Sequence, residues 1–474
     1  MAGEGHCSVS LFWDVYFAVL EQLDDRRDLH AAALVCKALN RAAMPLLYRE
    51  LDSDTRTYGK DFKQASSLDA LDPGCLQVHP ATTLLKRPQL ARHVWYVHEA
   101  GALHTDHPQL TPAALEALCL CSNIRSFTWS DDRPSSPAVF ERFLDILLRT
   151  NLRALTIRTY SDLGYRVWQK LNRMPGLTKV AVWCMDGPPQ ILEGWAPLLG
   201  GTLTELELGR CAGVPAGVLI SVLAQLPRLR DLRLKGAPSS AMYHILACLP
   251  ELVSLDTEYL GRTAVQNTDY SVTLPRLRRL TVRTSSVDLQ GPKELWNWLQ
   301  QLIPSTSLES FTLNAFSTQG YMTIPSRFLQ TLAKIHSLTL QRFCVNQSQL
   351  ALADLAFISI HFPLLEELSC AVTSSNAAAI NGAIEAAQSL HTLKLHVSWM
   401  PNHPSAVRVY APNSPAALFS KKDAEDLMLR RGSCIRKLSM GPQQYIGKWV
   451  PAVDERGKSI LRFVVEEDPG VHDR

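Results

Sequence analysis

The sequence predicts an α/β solenoid, with parallel strands along one face and helices along the other. Three observations predict it. An apolar frame recurs, in which one apolar residue is followed by others three and five positions later, as in Leu-Thr-Glu-Leu-Glu-Leu from Leu203 to Leu208. Frames start at Ile124, Leu152, Leu177, Leu203, Leu229, Leu252, Leu277, Leu308, Ile335, Leu365, Leu390 and Ile435, and of their thirty-six apolar slots only Thr257 breaks the rule. The spacing is near-regular: from Ile124 to Leu390 the steps are 28, 25, 26, 26, 23, 25, 31, 27, 30 and 25 residues. Between frames the pattern changes to helical spacing, as at Leu219, Val222, Leu223 and Leu226, at Met242, Ile245, Leu246 and Leu249, and at Leu295, Trp298, Leu299 and Leu302. The period therefore switches from about 3.6 to 2 once per repeat. One strand and one helix cannot bury their own apolar faces, so such units stack and share a core.

Taken in order, the chain opens with helices. Val15, Val19, Leu20 and Leu23 have helical spacing, and Asp24–Asp28 is a polar break. A second helix is predicted from Leu29 to Asn40, and a third, short one carries Met44, Leu46, Leu47 and Tyr48 with Pro45 near its start. About forty residues in three short helices make a poor isolated core, so this unit leans on a partner or on its neighbour.

The residues of this stretch resemble an F-box. Leu11, Asp14, Val15, Val19, Leu20 and Leu23 come first, then Asp28, Leu29 and the run Ala32-Ala-Leu-Val-Cys-Lys-Ala-Leu-Asn40, then Pro45-Leu-Leu-Tyr48. Val35-Cys-Lys37 with Leu39-Asn40 is the most specific part. F-boxes usually open Leu-Pro, whereas Phe12 follows Leu11 here. The resemblance implies docking onto the SKP-type adaptor of a cullin–RING ubiquitin ligase, with Leu11, Phe12, Val15, Val19, Leu23, Leu29, Val35 and Cys36 as the apolar contact set. A second role is open for the same helices, capping one end of the solenoid.

Residues 52–81 read as a polar linker, with Gly59 and Pro73-Gly74. A short helix from Thr83 to Pro88 and a first, degenerate strand over Leu90–Val97 start the solenoid, a step similar to that of fungal F-box proteins. Over 82–440 the period and frame resemble leucine-rich repeats, about 12–13 of them, which implies a horseshoe with the strands on its concave face. Cys211, eight residues after Leu203, resembles the cysteine-containing repeat type. Several helices end in Pro227, Pro250, Pro275 or Pro363 just before a strand. The residues alternating with the buried slots face the concavity: Arg158, Trp183, Glu205, Glu207, Asp231, Arg233, Lys235, Asp256, Glu258, Arg279 and Arg283, then the neutral Thr312, Asn314, Thr339 and Gln341. Two readings of these charges are compatible: a recognition surface for a protein substrate, or a ladder whose acids and bases pair laterally. Trp183 is the candidate anchor, or else packs against Trp195.

After Leu395 the period breaks. A proline-rich loop is predicted over 398–415. A helix capped by Ser420 and Asp423 follows and stops near Gly432. Trp449–Val453 and Ile460–Val465 read as a hairpin within a C-terminal cap, 441–474, that covers the last strand edge through Tyr445, Trp449 and Phe463.

A net charge of +3 supplies no strong field for nucleic acid, and the basic residues do not interleave with aromatics along one stripe. Eleven cysteines at irregular spacing, without Cys-x-x-Cys, read as reduced thiols of a cytoplasmic or nuclear protein. No run reaches the ~18 apolar residues of a membrane span. Phosphate-binding, nucleophile-elbow and zinc-helix motifs are lacking, His104-x-x-His107 offers too few ligands for a metal, and no cofactor is expected. The sequence thus predicts a non-catalytic adaptor: an F-box that binds the SKP-type adaptor and, through it, a cullin, and a solenoid that binds a protein substrate. The other readings are a protein-binding scaffold whose helices only cap the fold, and an enzyme marked by converging buried ionisable groups.

Overall fold

The computed structural model describes residues 7–53, 79–131, 133, 136–184, 192, 194–261, 273–284, 291–315, 322–374, 376–397, 419–453 and 457–468. The chain divides into two compact units, Met1–Arg210 and Cys211–Arg474.

The first unit begins with three helices, α1 (Cys7–Leu20), α2 (Arg26–Val35) and α3 (Lys37–Leu47). Leu20, Leu29, Ala33, Ala42 and Ala43 form their small core, with Tyr16, Phe17, Leu23, Leu39, Leu46 and Leu47 packed against it. The boundary between the second and third helices differs from the sequence expectation. Cys36 is extended, and its Sγ accepts the Leu39 N–H at 3.5 Å, so α2 ends at Val35 and α3 starts at Lys37. Pro45 consequently falls near the end of α3, not at the start of a third short helix.

The chain then enters the sheet directly. Strand β1 (Glu50–Asp52) pairs in parallel with β2 (Tyr96–Ala100), so the stretch expected to be linker starts as an edge strand. Residues 54–78, the rest of that stretch, lie outside the described residues. Strands β3 (Ser126–Ser130), β4 (Ala154–Thr159), β5 (Lys179–Cys184) and β6 (Glu205–Leu208) follow, all parallel, in chain order. Between them run α4 (Ala81–Lys86), α5 (Gly101–Asp106), α6 (Thr111–Leu120), α7 (Pro137–Leu147), α8 (Gly164–Leu171) and α9 (Ala196–Leu199). The first repeat strand lies later than Leu90–Val97, because Pro88–His93 is a 3-10 turn. The register lines up the slots. Val97, Phe127, Leu155, Val180 and Leu206 form one buried row, and Glu99, Trp129, Ile157, Val182 and Leu208 form the next.

The second unit repeats this alternation: α10 (Ala216–Leu223), β7 (Asp231–Leu234), α11 (Met242–Ala247), β8 (Ser254–Glu258), β9 (Arg279–Thr284), α12 (Gly291–Leu302), β10 (Ser310–Ala315), the short β11 (Met322–Thr323), α13 (Ser326–His336), β12 (Arg342–Leu350), α14 (Leu352–His361), β13 (Glu367–Val372), α15 (Ala377–Ala383), β14 (Thr392–Val397), α16 (Lys421–Leu429) and β15 (Lys437–Met440). These strands are parallel. Each unit is thus a leucine-rich-repeat-like α/β stack. Thr257, the exception in the apolar frame, is fully buried, with its hydroxyl 3.1 Å from Met242 Sδ.

Eleven of the twelve frames are buried at all three slots; the frame at Ile335 is not a strand. Helix α13, with Phe328, Leu329, Leu332 and His336 inward, carries Ile335, and Leu338 is 73% exposed in the turn that follows. The real frame is Leu340, Phe343 and Val345, all buried, five residues on. Arg342, Cys344 and Asn346 therefore take the alternating positions assigned to Thr339 and Gln341.

Helix α16 has the predicted capping box: Asp423 N–H donates to Ser420 Oγ at 3.2 Å, and Ser420 N–H donates to Asp423 Oδ2 at 2.7 Å. Strands β16 (Gln443–Val453) and β17 (Ser459–Glu467) form an antiparallel hairpin, and β16 covers the edge of β15. Tyr445 is buried and donates to Phe419 O, whereas Trp449 is 58% exposed against Phe463 and is not a buried contact of the cap. The loop expected over 398–415 lies outside the described residues.

The shifted frame is testable by chemical denaturation. Leu340→Ala is expected to cost about 2–5 kcal/mol, as for other buried leucines, while Leu338→Ala stays within about 0.5 kcal/mol of the parent. The reverse order would restore the frame at Ile335.

Candidate functional site

The three helices carry more apolar surface than their core uses. Val15 and Val19, one turn apart on α1, are 54% and 61% exposed; Leu34 and Val35, at the end of α2, are 74% and 71% exposed. Cys36 is also exposed, and Trp13 stacks on Phe17 beside them. Large apolar side chains scattered singly on a surface are ordinary, but a concentration in forty residues is not. Leu29, by contrast, is a core residue and Leu23 packs against that core, so neither belongs to the exposed set. The side chains of Leu11 and Phe12 lie outside the described residues. The turn that presents Val35 is tightly built: Asn40 Nδ2 donates to Ala33 O at 2.9 Å while Cys36 caps α3. The run from Val35 to Asn40 thus has a local structural reason for its residue types.

These helices are also tied to the sheet. Arg26 Nη2 donates to Leu47 O at 2.8 Å, just before β1, and Trp95 is flanked by the guanidinium groups of Arg49 and Arg125 at 4.7 and 3.9 Å. The ties use α2, α3 and β1 and leave Val15, Val19, Leu34 and Val35 uncovered.

On the open face of the strands the predicted residues alternate with the buried slots, and many of their charges pair. In the first unit Lys179 meets Glu205 at 2.9 Å and Arg158 meets Glu207 at 4.0 Å. Trp183 lies flat over Gly209, where any Cβ would enter its ring, and its Nε1 donates to Glu207. It does not pack against Trp195, which is buried and donates to Met174 O at 2.9 Å. In the second unit Arg279 meets Asp231 at 3.0 Å, Arg283 forks onto both oxygens of Asp256, and Glu258 accepts the Gly236 N–H at 3.0 Å. Arg233 and Lys235 are exposed beside them. Each such pair is worth at most about 1 kcal/mol.

Two further groups escaped the sequence reading. One strand before the twelve frames, Val94-Trp-Tyr-Val-His-Glu99 follows the same spacing, and Glu99 fills its third slot, opposite Trp129. It is fully buried, with His104 Nε2 at 3.0 Å and His79 Nε2 at 3.3 Å. These three have the spacing of a metal site, their ligand atoms lying within 4.8 Å of one another. The hydrogen bonds assign a different chemistry. Ala81 N–H donates to His79 Nδ1 at 3.1 Å, so the His79 proton sits on Nε2 and points at the carboxylate. Thr111 Oγ1 lies 3.2 Å from His104 Nδ1, which lets His104 donate in the same way. Burial alone pushes the Glu99 carboxyl up; the bonds from His104 and His79 outweigh it and hold it at about 2. An acid in a frame slot was the available signal. His107 is half-buried and is not in the group.

Asp52, His98 and Ser130 form the second group, a row across β1, β2 and β3, with Asp52 Oδ1 3.2 Å from His98 Nδ1 and Ser130 Oγ 2.8 Å from His98 Nε2. The flanking Ala100 and Asp131 N–H groups are bound to Ser53 Oγ and Arg158 O, so neither is aimed at a developing oxyanion. The row reads as a cross-strand ladder. No helix among the described residues is long and apolar enough to cross a membrane. Cys36, Cys119, Cys121, Cys184, Cys211, Cys248, Cys344, Cys370 and Cys434 are free thiols; burial raises Cys121 and Cys211 to about 12, while Cys36 and Cys119 are exposed.

No protein-family description and no curated relative matches the chain. Among solved structures it is similar to a chain of the TLR13–ssRNA13 complex (15% identity, TM-score 0.35), over 66% of this chain and 40% of that one. It is similar to a chain of the yeast Rad7–Elc1 complex (13%, TM-score 0.43), over 82% and 88%. It is also similar to a chain of the Drosophila Toll–Spatzle complex (13%, TM-score 0.32), over 71% and 51%. This chain therefore spans less than half the length of the first of them.

The buried carboxylate has a pH signature. Its pKa is depressed on folding, so it stabilises the fold above about pH 4.5, and that stability is lost as pH falls towards 2. The loss amounts to about 3 kcal/mol at that shift. Acid unfolding followed by circular dichroism is expected to be shallower between these limits in Glu99→Gln than in the parent; identical slopes would remove Glu99 from the balance.

Proposed function

We propose that this chain is a non-catalytic substrate receptor of an SCF-type ubiquitin ligase. Helices α1 to α3 act as an F-box and dock on an SKP-type adaptor, and through it on a cullin; the repeats hold a protein substrate. The observation that carries the proposal is the uncovered apolar surface at Val15, Val19, Leu34 and Val35. A cap that served only the solenoid would turn such residues inward, and this one meets the sheet through β1, Arg26 and Trp95 instead. The F-box resemblance of the same residues supplies the partner. Catalysis is then by proximity, and the working compartment is the cytoplasm or nucleus.

The substrate surface follows from the open face. Arg158, Trp183, Glu205 and Glu207 in the first unit, and Arg233, Lys235, Asp256, Glu258, Arg279 and Arg283 in the second, present mixed charge on rigid strands. A substrate here exchanges existing lateral pairs for intermolecular ones, which favours specificity over raw affinity. The competing reading, a scaffold without ligase coupling, draws on the β1 junction, which makes the helices a cap as well.

Co-purification with the SKP-type adaptor separates the two. The full chain is expected to retain the adaptor, and Val19→Asp/Val35→Asp is expected to lose it by tenfold or more, about 1.4 kcal/mol. Both sites are exposed, so the variant should keep the parent's melting temperature. A full chain that does not retain the adaptor leaves the scaffold reading in place.

A further inference from the structure

The four turns that lead into β2, β3, β4 and β5 span residues 87–95, 121–125, 148–153 and 172–178, and they lie side by side along one edge of the first unit. Their backbones are laddered: Trp95 N–H donates to Arg49 O, Arg125 N–H to Trp95 O, Arg153 N–H to Arg125 O and Thr178 N–H to Arg153 O, at 2.8, 2.8, 2.9 and 2.8 Å. Adjacent rungs of such a ladder are about 4.8 Å apart. The turns hold six arginines, Arg87, Arg92, Arg125, Arg149, Arg153 and Arg173, and not one aspartate or glutamate. All six are exposed, and among the described residues none is ion-paired.

The same positions in the second unit are built differently. Arg278, one residue after its frame start as Arg125 and Arg153 are after theirs, meets Glu309 of the next turn at 3.4 Å. Arg230 meets Glu251 at 3.8 Å. The open face of both units is paired as well. A row of like charges at strand spacing costs stability unless an anion lies along it. In a chain of net charge +3, six arginines outside any ion pair along one edge are a concentration of field, not an average.

We infer that this edge of the first unit docks an acidic, extended peptide segment of a protein partner. Guanidinium forks match carboxylates two bonds at a time, which suits arginine, and not lysine, at every position. The edge is less suited to single-stranded nucleic acid. Trp95 is the only Phe, Tyr or Trp in the four turns, and it lies between Arg49 and Arg125, so it offers no free platform for a base. The inference does not depend on the helices binding a ligase adaptor, since it concerns different residues and a different partner.

Fluorescence anisotropy on the full chain tests it. The probes are a fluorescein-labelled peptide of alternating Glu and Ser, its Gln-for-Glu counterpart, and an oligo-dT of the same net charge as the first. The acidic peptide is expected to bind, more weakly as salt rises, and the Gln peptide is not. Arg125→Glu/Arg153→Glu is expected to weaken binding by about tenfold or more, the factor corresponding to two lost exposed ion pairs. Arg149→Gln/Arg173→Gln, which leaves the Trp95 stack intact, is expected to weaken it in the same direction at an unchanged melting temperature. Arg327→Glu, on α13 of the second unit, is expected to leave it unaltered. The proposal is overturned if the parent does not bind the acidic peptide, if both edge variants bind like the parent, or if the oligonucleotide binds more tightly at equal salt.

Discussion

Parallel register is the constraint on which the rest of the structure depends. Within each unit the parallel strands are matched to their neighbours so that apolar slots fall in rows, with one register shift between Val345 and Gln349 of β12, and no repeat can bury its own face without the next. A slip of one residue would turn a whole row outward. The register also sets the terms for exceptions. Thr257 and Glu99 both occupy slots meant for apolar side chains, and both are satisfied locally, the first by a sulfur contact with Met242 and the second by two imidazole donors. A buried carboxylate in a repeat core is tolerable only because His79 and His104 arrive together from outside the frame.

The surfaces follow from the same rows. Residues between slots must face away from the core, and there the chain places charges that neutralise one another across neighbouring strands. The helical unit breaks this economy by exposing valines and leucines, and the turns of the first unit break it by gathering arginines. Each departure points to a different kind of partner, apolar in the first case and acidic in the second, and the self-paired open face is the neutral background. Exposed charge pairs contribute little to stability, so their arrangement matters more for which partners are admitted.

Much of the fold was legible in the sequence because leucine spacing reports burial directly. The frames at Leu203, Leu229 and Leu308 needed no further information. The frame at Ile335 was misread because a helix end and the turn after it reproduced the same spacing, and only the helical periodicity of Phe328, Leu329, Leu332 and His336 distinguishes the two. The split between α2 and α3 was hidden by an uninterrupted run of helix-forming residues; a cysteine acting as a cap is a weak sequence signal. Val15, Val19 and Val35 could be assigned to the helices but not to a face, since a small three-helix core leaves both sides apolar, and Leu29 and Leu23 turned out to be inside. The association of His79 with Glu99 was not legible, as His79 lies at the end of the patternless linker stretch and meets Glu99 only through the folding of the helix and turn between them. The basic edge was in principle readable, because Arg125 and Arg153 each follow a frame start by one residue and the turns around them hold arginine without acid, but charge summed over the whole chain conceals it.

The terminal hairpin has a consequence for synthesis. Strand β15 pairs with β14 on one side, and its other side is covered by β16, which follows it after two residues but turns back antiparallel. While the chain is being translated, a parallel strand such as β13 waits for a helix and turn before its free edge is covered; β15 waits only for the next few residues. The growing end of the stack is adhesive throughout elongation, and the hairpin ends that condition at the shortest possible delay.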